Sequence, residues 1–347
     1  MESPCKHHMR QRALRLAKAR QRLFALIGLS LLVAPETASA QTFEAVGNRA
    51  QGMGGAFVAV ADDATLSWWN PAGIAAAGQL SALFERGQWT DPSVYPATGP
   101  AMRNTDTGFA LALPGFGLSY YRVYVSQLLP PSATGPDEDG PQVGLRKFAL
   151  SQYGATTGQS IGGGLTIAST AKLVRVGAVS AVSQSGDTLD SADDLDVPVE
   201  TKGDIDFGVM ASLGPIRLGF TVKHLFEPEF ESVGGPIVLE RQARLGAAFR
   251  AGPPGAGTGL TVAFDADLTR TPTLFGDARH IAVGAEGRLR RWLGARGGFS
   301  SNTVGEARPS WSGGLSLGTS GFFVDGALTF GRDQSKEGWN IGVRLAL

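Results

Sequence analysis

Apolar and polar positions alternate with a period of two over much of the chain. In residues 216–223, Ile, Leu, Phe and Val occupy one face, and Arg, Gly, Thr and Lys occupy the other. The same alternation recurs in residues 260–268, 281–289, 322–330 and 339–347. This period is typical of a β-strand with one apolar face. The pattern therefore predicts an all-β protein.

The spacing of these segments predicts a closed barrel. The predicted strands are 79–88, 106–113, 116–125, 145–155, 161–176, 204–213, 215–223, 239–250, 259–268, 279–288, 292–300, 310–318, 321–330 and 338–347. Short connections such as Pro114-Gly115, Thr156–Ser160 and Thr319-Ser320 alternate with long ones such as 126–144 and 177–203. Transmembrane β-barrels have short periplasmic turns and longer outer loops, whereas a soluble sandwich has no reason to sort its loops in this way. We expect a transmembrane antiparallel β-barrel of about 14 strands over residues 79–347.

The N-terminus has the composition of an export signal. Residues 1–22 carry seven basic side chains, residues 23–34 form an apolar run, and residues 38–40 read Ala-Ser-Ala. A basic region, a short apolar region and a small-residue cleavage site define a secretory signal peptide. The apolar run is too short to span a bilayer as a helix. We therefore expect a signal peptide over residues 1–40, cleaved after Ala40.

The charge balance changes once this signal is removed. The full chain has 31 basic and 31 acidic residues, and residues 1–40 contain seven of the former and two of the latter. The remaining 24 basic and 29 acidic residues carry a net negative charge, which argues against a nucleic-acid partner. The single cysteine, Cys5, lies within the signal. The mature chain thus has no thiolate for a metal site, and we predict no metal, no cofactor and no enzymatic activity.

Residues 41–78 do not alternate and form a different kind of segment. They contain several glycines, apolar side chains that need cover, and the pair Asn70-Pro71, which favours the start of a helix. A barrel of 14 strands is too wide to be filled by its own side chains, since eight strands are just filled. A compact hatch inside the lumen fits both facts.

Two motifs in this segment resemble a known family. Residues 52–63, GMGGAFVAVADD, and residues 69–74, WNPAGI, are similar to the N-terminal signature of the FadL-type outer-membrane superfamily. That superfamily includes long-chain fatty-acid transporters, aromatic-hydrocarbon channels and PorV-like secretion-associated barrels. The resemblance implies a lumenal hatch, a hydrophobic ligand taken from the outer face, and sideways release through a gap in the wall.

The resemblance and the charges together name candidate site residues. The substrate-binding and hatch candidates are Phe57, Asp62, Asp63, Trp68, Trp69, Asn70, Pro71, Ala72 and Gly73. Carboxylates inside a lumen need partners, because an unpaired buried charge is costly. The arginines whose strand parity points them inward are Arg217, Arg244, Arg250, Arg288 and Arg344. We expect some of them to pair with Asp62 and Asp63, and a solvated turn is the alternative.

An acidic stretch, residues 187–204, lies in the longest predicted outer loop. Its spacing departs from that of an EF-hand. A solvated loop is the ordinary interpretation, and bridging of divalent ions to lipopolysaccharide is the alternative. Outer-membrane lipid and lipopolysaccharide are therefore expected partners.

The sequence predicts a bacterial outer-membrane channel for passive uptake of hydrophobic small molecules such as fatty acids or hydrocarbons. The main alternative is a PorV-like accessory barrel that binds a protein partner in secretion or surface attachment. An open diffusion porin is a weaker alternative, because a hatch would obstruct it.

Overall fold

The computed structural model describes residues 46–91, 102–132, 142–184, 189–232, 235–252, 259–273, 276–319, 321–331 and 337–347. The predicted signal peptide, residues 1–40, lies outside the described residues. Among the described residues, no helix is long and apolar enough to cross a membrane.

Fourteen antiparallel strands close into one barrel, as the alternation predicts. The barrel strands are β1 (Ser81–Asp91), β2 (Met102–Leu113), β3 (Phe116–Ser132), β4 (Gln142–Gly162), β5 (Leu165–Gln184), β6 (Glu200–Leu213), β7 (Ile216–Lys223), β10 (Gln242–Ala251), β11 (Gly259–Asp267), β14 (His280–Arg290), β15 (Leu293–Asn302), β16 (Ser310–Thr319), β17 (Phe322–Gly331) and β18 (Glu337–Ala346). Each pairs with its neighbours in sequence, and β1 pairs with β18 to close the ring.

Several predicted boundaries are wrong, among them the end of β3, which was expected at 125 and lies at Ser132. The turn expected at Thr156–Ser160 is strand, because β4 continues to Gly162 and the chain reverses at Gly163-Gly164. Both of these glycines have positive φ angles, 59° and 79°, which favour glycine in a tight reversal. The expected loop 177–203 is also shorter than predicted, since β5 runs to Gln184 and β6 begins at Glu200.

Short turns gather at one end of the barrel, the turn end, and longer connections at the other, the loop end. The loop end carries a two-stranded hairpin of β8 (Glu229–Phe230) and β9 (Ile237–Val238), and another of β12 (Thr271–Thr273) and β13 (Gly276–Ala278). A short helix, designated α3 (Leu189–Asp193), lies between β5 and β6.

The outer face of the barrel is an apolar belt. Large side chains are exposed on successive strands, including Phe84 at 51%, Leu173 at 56% and Ile341 at 54%. Alternate residues of the same strands point inward and are buried, among them Glu85, Asp325 and Asn340. An apolar outside with a polar inside is the pattern of a barrel whose wall contacts lipid.

Three short helical pieces precede β1. They are α1 (Asn48–Gly52), α2 (Leu66–Trp69) and a 3-10 turn (Pro71–Ala75). We call residues 46–77 the inner segment. It hydrogen-bonds to strands on several sides of the ring, from β1 to β11, β14 and β17, and therefore lies in the lumen.

Candidate functional site

The inner segment is enclosed by the barrel wall. Phe57, Val58, Val60, Leu66 and Trp69 have no exposed surface. They belong to an apolar cluster that includes wall residues of several strands. The segment is therefore buried within the barrel at this level.

Glycines in the wall make room for the backbone of the inner segment. A Cβ atom on Gly298 would lie 2.1 Å from the carbonyl carbon of Met53, and one on Gly284 would lie 2.3 Å from the Met53 carbonyl oxygen. Atoms that close cannot coexist, so only glycine allows this approach. Similar close approaches to the inner segment occur at Gly208, Gly219, Gly246 and Gly342. Part of the glycine excess, 48 of 347 residues, therefore forms a seat for the segment.

Two wall carboxylates cap backbone N–H groups of the inner segment. Asp265 on β11 accepts hydrogen bonds from the N–H groups of Phe57 and Val58, both at 2.8 Å. Glu85 on β1 accepts them from Gly47 at 2.7 Å and Asn48 at 2.9 Å. These four N–H groups are in short helical or turn structure that leaves them without strand partners. The carboxylates fix the segment at two separated points of the ring.

Arg49 links the inner segment to itself and to the wall. Its guanidinium donates to Asp63 at 2.7 Å and Asp62 at 2.9 Å, and it forms two bonds with Glu286 on β14, at 3.0 and 2.6 Å. Asp62 also pairs with Arg250 on β10. We call these five residues the Arg49 cluster. It joins the segment to β14 and β10, which are separated only by β11, by charge pairs rather than by apolar contact alone.

The cluster keeps Asp62 ionised. Burial by itself opposes ionisation, but the positive charges of Arg49 and Arg250, with that of Arg217, hold the pKa of Asp62 below its ordinary value. Arg49 is affected in the opposite direction. Although burial acts against its charged form, the carboxylates of Glu286, Asp62 and Asp63 raise its pKa well above the ordinary value.

The five predicted lumenal arginines divide into two groups. Arg250 contacts Asp62, and Arg217 lies close enough to add to its field. The other three have different partners. Arg244 pairs with Asp267 at 2.5 Å, Arg344 pairs with Asp325 at 2.9 Å, and Arg288 lies over the ring of Phe323. Each of these three has a partner on another strand, and Arg244 also lies over the ring of Trp69 in the inner segment, 5.8 Å from its centroid.

The Asn-Pro-Ala-Gly element adopts the predicted helix start. The side-chain oxygen of Asn70 accepts the N–H of Ala72 at 3.0 Å, and Pro71 occupies the first position of the 3-10 turn. The Asn70 amide also donates to the carbonyl of Val209 on β6 at 3.1 Å. A Cβ on Gly73 would lie 2.1 Å from the carbonyl oxygen of Ala61, so glycine is required at this position. The element is a fixed corner that rests on β6.

The two tryptophans of α2 face charged wall residues. Trp68 stacks edge-on against Tyr121 on β3, with ring centroids 5.4 Å apart, and the Lys223 ammonium lies 3.5 Å from its ring centroid. Trp69 contacts Phe57 at 5.9 Å and donates its indole N–H to the carbonyl of Val46 at 3.0 Å. Both tryptophans are therefore packed within the lumen.

A second buried charge cluster lies in the wall where β7 ends. Lys172 on β5 lies 2.5 Å from Asp206 and 3.2 Å from Asp204, both on β6, and His224 Nδ1 lies 2.7 Å from Asp204. All four side chains are buried. The carboxylates and the imidazole lie close enough together to be considered as metal ligands. The Lys172 ammonium already supplies positive charge between the two carboxylates, so the arrangement is complete as an ion-pair network.

The β6–β7 ladder is shorter than the β2–β3 ladder. The β2–β3 ladder runs without interruption from Leu113↔Phe116 to Met102↔Gln127. The β6–β7 ladder stops at Phe207↔Val222, although β6 continues to Glu200. Beyond it, the N–H groups of His224 and Phe226 donate to the side chains of Asp206 and Asp204. Along this edge of β6, two side-chain bonds and one backbone bond, from the Leu225 N–H to the Ile205 carbonyl at 3.0 Å, thus follow the end of the ladder.

An apolar path connects the loop end with the inner segment. The inward faces of β3, β4 and β5 carry Val125, Leu150, Val174 and Val176, all buried. They belong to one cluster with Phe230, Ile237 and Leu239 of the β8–β9 region and with Trp68 of the inner segment. The inward face of β15–β18 is polar instead, with Arg296, Ser316, Asp325, Asn340 and Arg344. One side of the lumen is therefore richer in apolar side chains, with Gln152 and Lys172 also buried on it, and the opposite side is polar and charged.

The acidic stretch is only partly the solvated loop that we expected. Asp190 and Asp193 on α3 each lie 2.6 Å from Arg103 on β2. Asp204 is buried in the wall cluster. Asp187 lies outside the described residues.

Several residues that make central contacts in the lumen were not predicted from the sequence. Arg49, Glu286, Asp265, Glu85 and Lys172 are not distinguished by any motif. For the wall residues, the alternation along the strand indicates that the side chain points into the lumen. It shows which way a side chain points, but not which group it meets across the lumen.

This closed ring of 14 strands has the FadL-type barrel fold. The Ralstonia pickettii toluene transporter TbuX superimposes with a TM-score of 0.59 at 13% identity, covering 88% of this chain and 99% of TbuX. The Pseudomonas putida toluene transporter TodX gives 0.57 at 12%, covering 88% and 99%. A Pseudomonas aeruginosa FadL homologue gives 0.55 at 10%, covering 86% and 97%.

At these identities the likeness establishes the fold alone. Comparison of the sequence with family models and with curated proteins finds no match. The similar structures give no support to the PorV-like accessory alternative.

Proposed function

We propose that this protein is an outer-membrane channel for passive uptake of hydrophobic small molecules. The observation that carries the proposal is the apolar path from Phe230 and Ile237 at the loop end, along Val174 and Val176, to Trp68 of the inner segment. A porin for hydrophilic solutes has a polar, water-filled interior. Apolar lining with a few polar groups is the chemistry of a site for a hydrophobic ligand.

The named functions of the similar structures support the same class of ligand. Two are toluene transporters and one is a FadL homologue. A monoaromatic hydrocarbon or a long-chain fatty acid is therefore the first ligand to test. We propose the outer membrane as the location, with the apolar belt in contact with lipid.

The inner segment acts as the hatch in this proposal. Phe57, Trp68 and Trp69 present the surface that the ligand reaches after the apolar path, and Asn70, Pro71, Ala72 and Gly73 form the corner that fixes them. Asp62 and Asp63 hold the segment through Arg49. Water molecules can replace one partner of such a charge pair. The segment can therefore move while part of its apolar contact with the wall is kept.

We place the release of the ligand at the β6–β7 junction. A groove of about 690 Å³ lies on the wall over strands β2–β6 and reaches this junction at Gly203, Ile205 and Phe226. Gly203 offers no side chain to fill it, and a Cβ at this position would meet nothing within 4 Å. The groove and the short β6–β7 ladder are the two features that favour this junction as the exit.

Uptake by whole cells tests the proposal. Cells that lack their own hydrophobic-compound channel would express the wild type, Val176→Thr or Val343→Thr, and uptake of radiolabelled toluene and of a radiolabelled fatty acid would be followed. Val176 lines the apolar path and Val343 faces lipid, so the two variants carry the same chemical change on opposite faces of the wall. A buried hydroxyl without a partner costs about 1 kcal/mol or more, which corresponds to about fivefold.

We expect the wild type and Val343→Thr to support uptake, and Val176→Thr to reduce it about fivefold. Equal uptake by cells with and without the protein, for both compounds, would refute the proposed function.

A further inference from the structure

Three arginines lie on one row of the barrel's lipid-facing side. The strand register places Arg86 opposite Thr107, Thr107 opposite Arg122, Arg122 opposite Ser151, and Ser151 opposite Arg175. Neighbouring strands are about 4.8 Å apart, so successive arginines stand about 10 Å from each other along the row. We call Arg86, Arg122 and Arg175, with the two hydroxyl residues between them, the arginine row.

The row follows directly on the apolar belt. The next outward-facing row toward the turn end consists of Phe84, Phe109, Tyr120, Tyr153 and Leu173. Four of these five side chains are more than 45% exposed. The outer face of five adjacent strands therefore changes from apolar to basic at a single step of the register.

Other basic side chains of this face have hydrogen-bond or ion-pair partners, whereas the arginines of the row form no ion pair within the described part of the chain. Two outward positions nearer the loop end, Arg103 pairs with Asp190 and Asp193 of α3, and Lys147 donates to the carbonyl of Leu195 at 2.7 Å. Within the described part of the chain, no carboxylate forms an ion pair with Arg86, Arg122 or Arg175. Arg122 lies over the ring of Tyr124, which holds its guanidinium against the wall.

We propose that the arginine row binds the phosphate groups of an outer-leaflet lipid. The acyl chains of this lipid would lie on the adjacent apolar row of Phe84, Phe109, Tyr120, Tyr153 and Leu173. Guanidinium groups bind phosphate through two parallel hydrogen bonds, and hydroxyl groups between them add further donors. The apolar row supplies the surface that acyl chains require, and the charge complements an anionic headgroup. The site is separate from the lumen and does not depend on the proposed transport.

Native mass spectrometry of the detergent-solubilised protein tests this inference with lipid A, a phosphorylated lipid, as the probe. The variant combines Arg86→Gln, Arg122→Gln and Arg175→Gln. A matched control removes three exposed arginines elsewhere, by Arg270→Gln, Arg290→Gln and Arg291→Gln. A heat-modifiable shift on gel electrophoresis confirms that each variant is a folded barrel.

We expect the triple variant to bind lipid A about a hundredfold more weakly than the wild type, since each cation near an anionic lipid contributes about one kcal/mol. Dephosphorylated lipid A should bind the wild type equally weakly, and the control variant should bind lipid A as the wild type does.

Three results would overturn the inference. The first is unchanged binding of lipid A by the triple variant. The second is an equal loss of binding in the control variant. The third is displacement of lipid A by millimolar inorganic phosphate while dephosphorylated lipid A still binds fully, since that would indicate a free-phosphate site.

Discussion

Arg49 of the inner segment and Glu286 of the barrel wall form a bidentate ion pair. Arg49 Nε lies 3.0 Å from Glu286 Oε1, and Arg49 Nη2 lies 2.6 Å from Glu286 Oε2. Planar guanidinium and carboxylate groups match in this geometry, and such pairs are among the stronger hydrogen-bonded contacts in proteins. The pair spans 237 positions of sequence, and it ties a segment without strand structure to the ring.

Removal of one partner from this pair should release the inner segment. Arg49→Met leaves Asp62, Asp63 and Glu286 without their common cation, and breaking a buried pair on one side costs about 3–5 kcal/mol. We expect the free energy of unfolding in detergent micelles to fall by about this amount, and ionic conductance in planar bilayers to rise. Urea unfolding and bilayer recording measure the two effects.

The control for this variant is Arg308→Met. Arg308 pairs with Glu306 in a solvent-exposed connection at the loop end, where an ion pair contributes about 0–1 kcal/mol. If both variants lose the same stability and neither changes conductance, Arg49 does not fasten the segment.

Gly298 and Gly297 are adjacent in the wall, but only Gly298 closely approaches the inner segment. A Cβ on Gly298 would lie 2.2 Å from the backbone nitrogen of Gly54, whereas a Cβ on Gly297 would find its nearest neighbour 3.8 Å away. Gly298→Ala must therefore displace the inner segment, and Gly297→Ala need not. We expect higher conductance and faster proteolysis of the inner segment in the first variant alone. Identical behaviour of the two variants would show that the segment does not rest on this wall.

The pH dependence follows from the lowered pKa of Asp62. A carboxyl group whose pKa is lowered by folding adds stability above its unfolded value, and this contribution disappears as the pH falls through its folded value. The contribution of the Arg49 cluster to the free energy of unfolding should therefore be constant above about pH 5. It should decrease only in acid below about pH 4. Unfolding of the wild type and of Asp62→Asn, measured across this range, checks the prediction.

We expect the stability difference between these two proteins to stay constant above about pH 5 and to shrink in stronger acid. A difference that already changes between about pH 6 and 8 would show that another group governs the cluster.

The β6–β7 junction can be closed by a covalent bond. The N–H of Leu225 donates to the carbonyl of Ile205 at 3.0 Å, so cysteines at these two positions would face each other across the junction. The double variant Ile205→Cys/Leu225→Cys should lose uptake when oxidised and regain it on reduction. Leu111→Cys/Leu118→Cys, which links paired residues of the unbroken β2–β3 ladder, is the control. Loss of uptake in the control alone would place the release of the ligand elsewhere.

The alternation of side chains was sufficient to predict most of the fold. Strand β7 was expected at 215–223 and is found at Ile216–Lys223, because its apolar residues must all face lipid and a shift by one would reverse them. The same physical constraint holds for β11 and β17. The end of β4 was missed because residues 156–160 are small or polar and carry no strong pattern.

The candidate site was less accessible from sequence. The helix start at Asn70-Pro71 depends on neighbouring residues only, and it is confirmed by the bond from Ala72. The principal partner of Asp62 and Asp63 is Arg49, which precedes them in the same segment, whereas all the arginines predicted as partners lay in the barrel. Such pairings depend on where a segment without regular structure lies in the lumen, and neither period nor spacing carries that information.

Movement of the inner segment during uptake is the central claim, and a reversible lock tests it most directly. The side chain of Gln51 donates to Thr329 on β17 at 3.1 Å, so Gln51→Cys/Thr329→Cys would join segment and wall. Uptake of radiolabelled toluene and fatty acid would be measured in cells with the wild type and with the oxidised and reduced forms of this variant. The account predicts uptake by the wild type, none in the oxidised variant, and recovery on reduction. Equal uptake by the oxidised and reduced forms would contradict it.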